Sequence, residues 1–488
     1  MTCHNPSAPN SSEIPVSTKQ CSPSPVRLRL RCNLIATVPQ MKQVRISLAL
    51  ILLLRCLSVF SASTSQQQCG GAFREVRAGY WLTSSSHYSP VSSINTSLYS
   101  HVYYSSVSID ETHSTVAIPP GDESSTLYTF SRNVKSTGNS AVKTVLSIST
   151  DEYREDVSNA AFSRMAGDEG LREVFISSSI ELARANGFDG LDLAWSFPAT
   201  QTDMENLGVL LAEWRAEIME ESDNTSSEPL LLTATVYFSN HIFDRPDSDL
   251  NYPIEDISNS LDWANILTFG LHKNSNVTTA DAPLYDKFSH FSASYGVISW
   301  LDAGLPPCKL VMGIPLFGRS WFLRNKSKHG LGAPAAAAGT KQRRSNQTGI
   351  IAYAEIADYL KSESVLVTHD NQSVADYFYS GDLWVSFDSA LVVQDKIEYL
   401  MKPRLLGYFL WTISFDDANC TLSKQASLSW HQHHDSSSQD GSGIMQQGAV
   451  NQYLHSSTGS PRIRHSKTPI CVLSTILLLV VLSFQERL

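Results

Sequence analysis

The stretch NGFDGLDLAWSFP, Asn186 to Pro198, decides the fold. From Leu191 onward its side chains alternate. Asp192, Ala194 and Ser196 share one face, and Leu191, Leu193 and Trp195 share the other. Alternation with period two is the mark of a strand. Just upstream, LREVFISSSIELARANG (171–187) carries a helical pattern and ends in Asn186-Gly187, a helix stop. A helix therefore hands over to a strand with one apolar face and one face suited to polar groups.

Seven further runs read the same way: REVRAGYWL, SHVYYSSVSI, AVKTVLSIS, PLLLTATVYFS, LDWANILTFG, CKLVMGIPL and RLLGYFLWT. Helical patterns such as QTDMENLGVLLAEWRAEIMEES (201–222) lie between them. Eight strands alternating with helices over residues 70–430 predict an α/β fold, a closed parallel (β/α)8 TIM barrel. The seventh and eighth runs are too far apart for one helix. Residues 321–384 are expected to form a small α+β insertion between strand 7 and helix 7, with APAAAAG (333–339) as a flexible turn inside it.

The chain has 488 residues, is 17% charged, and carries a formal net charge of −10. With only two short basic clusters (Arg27, Arg29 and Arg31; Arg343 and Arg344), nucleic acid is not an expected partner. Residues 1–40 lack hydrophobic periodicity and read as an unstructured upstream extension. Residues 41–65, MKQVRISLALILLLRCLSVFSASTS, have the basic start, apolar stretch and small residues of a secretory signal peptide. Seven N-glycosylation sequons follow, at Asn95, Asn224, Asn276, Asn325, Asn346, Asn371 and Asn419. Past the signal only Cys69, Cys308, Cys420 and the tail's Cys471 remain, so one disulfide is possible in the body and a disulfide scaffold is not. Residues 431–469 turn polar and read as a linker; His431, His433 and His434 within it read as solvated, and no metal or cofactor is expected. Residues 470–484 form an apolar tail about 22 Å long if helical. Two readings stay open for it, a lipid-anchor signal and a short membrane span. Together these features predict a secreted or cell-surface protein.

Around the opening strand the chain resembles the family 18 glycoside hydrolases, within them the plant class V chitinases. The matches are Asp189, Gly190, Asp192, Trp195, Phe197 and Pro198, together with Tyr80-Trp81, LDWANIL, GIPLFGRSW and LLGYFLW. The resemblance implies substrate-assisted hydrolysis, in which the last acid of the strand motif protonates the glycosidic oxygen and a neighbouring Asp holds the substrate's acetamide. Here the proton donor's place is taken by Ser196 and the acetamide-holding Asp by Ala194. The family's Tyr-Asp pair on the sixth strand corresponds to Phe269 and Gly270, and two glycines after the third strand correspond to Ser149 and Thr150. A serine hydroxyl is too weak an acid to serve, and general acid–base help alone is worth about 10²–10⁴ in rate. The remaining motif acids, Asp189 and Asp192, are expected to be structural, hydrogen-bonded inside the barrel.

The resemblance also implies a sugar cleft. Trp411 matches its floor, Tyr80 and Arg319 match lining positions, and Trp81 and Trp321 lie nearby in sequence; Tyr80, Trp81 and Trp321 fit a core role equally well. The expected function is a catalytically inactive chitinase-like protein that binds chitin or other N-acetylglucosamine-containing glycans as a lectin or receptor-type ectodomain. One competitor is an active chitinase with an acid rescued from Asp244 or Glu255. The other is a structural or inhibitor barrel with a filled cleft.

Overall fold

The computed structural model describes residues 75–118, 122–150, 155–243, 249–272, 275–361 and 365–439. The upstream extension, signal, most of the linker and the apolar tail lie outside them. Eight parallel strands form the centre: β1 (Val76–Leu82), β2 (His101–Ile109), β3 (Lys143–Ser149), β4 (Gly190–Ala194), β5 (Leu231–Val236), β6 (Trp263–Ile266), β7 (Leu310–Pro315) and β8 (Gly407–Trp411). Each pairs with its neighbours in order, and β1 pairs with both β2 and β8, which closes the barrel. Every strand falls within its expected run, and the fold is the (β/α)8 barrel.

The helices Asp122–Ser136, Glu155–Gly167, Glu169–Ala185, Gln201–Thr225, Ile254–Ser260, Ala293–Asp302, Ala390–Met401 and Thr421–Gln439 connect and wrap the strands. After β1 the described chain makes only three short 3-10 turns. Local chemistry sets the helix ends. The Thr200 hydroxyl accepts from the Asp203 amide at 3.0 Å, and the Asp203 carboxylate returns the bond to Thr200, a capping box. Glu169–Ala185 stops where Gly187 takes φ +69°.

The alternation read in β4 separates two cores. Leu191, Leu193 and Trp195 belong to the layer between barrel and helices, where Trp195 stacks on Phe162 at 5.7 Å. The inward positions of the barrel form a second cluster that includes Tyr80, Tyr103, Val145, Trp263 and Phe409.

An antiparallel lobe is inserted between β7 and the helix Ala390–Met401. It spans Phe317–Phe387, slightly wider than 321–384, and combines a six-stranded sheet with the helix Tyr353–Leu360. The polyalanine stretch is not a turn: Ala335–Ala338 is a strand paired to Phe317–Leu323. Ladder bonds there override alanine's weak strand preference, and Gly339 ends the strand where a Cβ would sit 2.1 Å from Ser320 Oγ. The last helix, Thr421–Gln439, also runs past Trp430 into the stretch read as linker.

Candidate functional site

Asp192 lies wholly inside the barrel. Ser147 Oγ and Thr233 Oγ1 each donate to it at 2.8 Å, Thr235 Oγ1 at 3.1 Å and Tyr80 Oη at 3.2 Å. Asn265 Nδ2 donates to Tyr80 Oη at 2.9 Å, and Trp263 Nε1 donates to Asn265 Oδ1 at 3.1 Å. Burial pushes the Asp192 carboxyl above its usual range against the pull of these four hydroxyls. The network satisfies a group that would otherwise be costly to bury. It also leaves Asp192 no free edge for a ligand.

Asp189 sits elsewhere. It stands at the N-terminal end of the barrel, paired with Lys135 at 2.7 Å and accepting from the Thr144 amide at 2.8 Å. Burial raises its carboxyl, but Lys135 and the Thr144 amide outweigh this and hold it below the usual range. The expectation that it lies inside the barrel is therefore corrected: the residue precedes β4 and pins a helix to the barrel's bottom.

Active sites of such barrels lie at the C-terminal ends of the strands. There Ala194 and Ser196 are both half-buried. The Ser196 amide donates to Thr150 Oγ1 at 2.9 Å, and its carbonyl accepts from Asn159 Nδ2 at 2.9 Å. Ser106 Oγ and Ser149 Oγ lie 2.5 Å apart. The peptides 105–106, 196–197 and 411–412 are cis. Where the resemblance implied acids, this edge carries hydroxyls, a methyl and an amide. None can donate a proton usefully near neutral pH. Glu255 offers no rescue, since it is exposed in the first turn of Ile254–Ser260. Asp244 lies outside the described residues.

The opposite edge is aromatic. Trp411 is half-buried at the end of β8 and stands 5.1 Å from the Tyr80 ring and 6.3 Å from Phe269, nearly parallel to the latter. Gly313 makes room for this packing, because a Cβ there would lie 2.8 Å from Phe269 and 2.6 Å from Phe409. Next to Phe269, Gly270 takes φ +70°, and its amide donates to Asp281 Oδ2 at 3.0 Å. The other Asp281 oxygen accepts from Arg319 Nε. A further wall joins at β4 and β5, where Phe197 meets Tyr237 edge-on at 5.3 Å. His272 is half-buried nearby, and burial lowers its imidazole below the ordinary value, so it is neutral at pH 7. A half-buried indole thus stands at this edge of the mouth, with the hydroxyls of Ser106, Ser149 and Ser196 across from it.

Residues 76–416 match the family model described as glycosyl hydrolases family 18. The chain belongs to that family. It is 36% identical to "Nod factor hydrolase protein 1" of Medicago truncatula over 73% of this chain and 90% of that protein. Among solved structures it is similar to a mutant of the Nicotiana tobaccum class V chitinase in complex with NAG4, at 36% identity and TM-score 0.68, covering 73% of this chain and 99% of that one. It is likewise similar to the chitinase-like agglutinin of Robinia pseudoacacia, at 32% identity and TM-score 0.65 over the same shares.

Against this family 18 frame, the structure gathers only part of the expected cleft. Trp411, Phe269, Gly270 and Arg319 meet at one edge, and Ala194 and Ser196 stand at the other. Tyr80 is fully buried under Trp411, its ring stacked on Tyr103 at 4.2 Å, so it supports the floor from below and does not line the surface. Trp81 faces outward into the helix layer, with Nε1 donating to the Ser89 carbonyl at 2.8 Å. Trp321 is core of the lobe, 5.5 Å from Trp384. Both leave the candidate site, because adjacent strand residues point to opposite faces and a lobe needs its own apolar centre. Asp281 and Asn159 were missed by the sequence reading. Neither carries a local signal, since each reaches the mouth from a loop or helix.

Proposed function

We propose that this chain is a chitinase-like protein that binds N-acetylglucosamine-containing glycans without hydrolysing them. One observation carries the reading: the acid edge of the cleft holds Ala194 and Ser196, while the strand's remaining inward acid, Asp192, is buried and fully engaged by four hydroxyls. The aromatic and guanidinium edge supports sugar binding. Two relatives make the combination reasonable. A Glu-to-Gln mutant of the tobacco class V chitinase still holds NAG4, and the Robinia protein is a chitinase-like agglutinin.

The site of action in this reading is outside the cytosol, with the tail at 470–484 as an anchor. All seven sequon asparagines are exposed, which supports glycosylation. Cys308 is disulfide-bonded and Cys420 is free, which supports an oxidising compartment. Deglycosidase treatment of the expressed protein should shift its mobility on a gel, and an unchanged band contradicts the secretory route.

The function itself is tested by isothermal titration with chitotetraose. The reading expects heat of binding and an intact ligand. Heat with hydrolysis products returns the chain to the working chitinases. No heat at millimolar ligand favours a filled cleft, a reading that the packing of Phe269 on Trp411 keeps in view.

A further inference from the structure

We propose that Asp281 is a positioning residue that aims Arg319 into the cleft and thereby sets how tightly the cleft holds a sugar. The inference rests on the sugar-binding reading and names a residue that the family resemblance did not supply.

Asp281 is 5% exposed and belongs to the long loop after β6. Its backbone carbonyl accepts from the Leu271 amide at 3.0 Å, which pulls the loop back against the strand end. Its carboxylate then bridges two elements, taking the Gly270 amide with one oxygen and Arg319 Nε with the other. Arg319 belongs to the lobe strand Phe317–Leu323, so the bridge ties the lobe to the barrel mouth. Phe269, adjacent to Gly270, packs on Trp411. The guanidinium is thus held one carboxylate away from the aromatic floor.

What Asp281 leaves free matters most. Arg319 forms no hydrogen bond through its terminal nitrogens among the described residues, and neither is a buried unsatisfied atom. Its side chain is 12% exposed. A guanidinium pinned through Nε, with neither Nη hydrogen-bonded among the described residues, presents a fixed fork of N–H donors. That fork fits the hydroxyl and carbonyl oxygens of a neutral sugar. Fixing it beforehand removes the entropy a free arginine would lose on binding.

The experiment is titration of the whole protein with chitotetraose. Asp281→Asn should weaken binding by about three- to tenfold, the same loss as Arg319→Ala, the scale of one ordinary, partly solvated hydrogen bond. The double variant should be no more than about twofold weaker than Arg319→Ala alone, since the two residues act as one unit. Wild-type-like affinity in Asp281→Asn, or additive losses in the double variant, overturns the inference and leaves sugar binding standing. Absence of binding by the wild type overturns both. If Asp281→Asn fails to fold, Arg319→Lys decides: it keeps the charge and Asp281 but lacks the fork, and should lose as much as Arg319→Ala. Retained affinity in Arg319→Lys contradicts the proposal.

Discussion

Inside the barrel, Asp192 is enclosed by Ser147, Thr233, Thr235 and Tyr80; at the mouth, on the same strand face, the side chains of Ala194 and Ser196 make no hydrogen bond among the described residues. The two regions carry different obligations. The interior carboxyl satisfies four buried hydroxyls, so its removal orphans several partners at once. The mouth positions are half-open to solvent, so exchanging an acid there for Ala or Ser leaves nothing unsatisfied in the folded chain. The mouth positions can therefore be exchanged without opening the interior of the barrel.

The largest effect that tests this contrast is Asp192→Ala. It should cost about 3–5 kcal/mol of folding stability, read from chemical denaturation, whereas Ser196→Ala should stay within about 0.5 kcal/mol. Similar losses at the two positions would break the comparison. A second buried carboxyl sharpens it through pH. Burial pushes Asp388 up to about 6 despite the Lys396 ammonium 2.5 Å away. The folded state then keeps a proton that the unfolded chain releases near 3.8. This group's contribution is fully present below that pH and is lost as pH rises through about 6. Wild-type stability measured against Asp388→Asn should fall as pH rises from roughly 4 to 7. A flat difference, or one of opposite sign, contradicts the assignment. At the mouth the expected change is in binding. Trp411→Ala should weaken chitotetraose by about ten- to hundredfold with an unchanged circular dichroism spectrum. Unaltered affinity would remove the indole from the cleft floor.

The barrel was legible because eight alternating runs punctuated by helix stops admit few other arrangements. The β4 motif also located the mouth, since its register puts Ser196 at the strand's C-terminal end. Side-chain direction was less legible. Tyr80 and Trp81 are neighbours in sequence, yet one enters the barrel and the other the helix layer. Alternation says that the two point apart, but which one enters the barrel is decided by the cores they join. Trp321 reads as a cleft aromatic until the lobe's own core claims it. Polyalanine carries almost no side-chain signal, so its strand is dictated by the partner Phe317–Leu323. Asp281 was invisible for a different reason: a loop carboxylate becomes part of the site only when the lobe brings Arg319 to it.

The proposal that the mouth binds a sugar without breaking it is tested by chromatography of chitotetraose after long incubation with the purified wild-type chain, run beside the tobacco class V chitinase. Intact tetrasaccharide is expected, with any turnover at least about a thousandfold below that enzyme, the scale of acid–base help that Ser196 cannot give. Shorter chito-oligosaccharides appearing at a rate within that factor would contradict it.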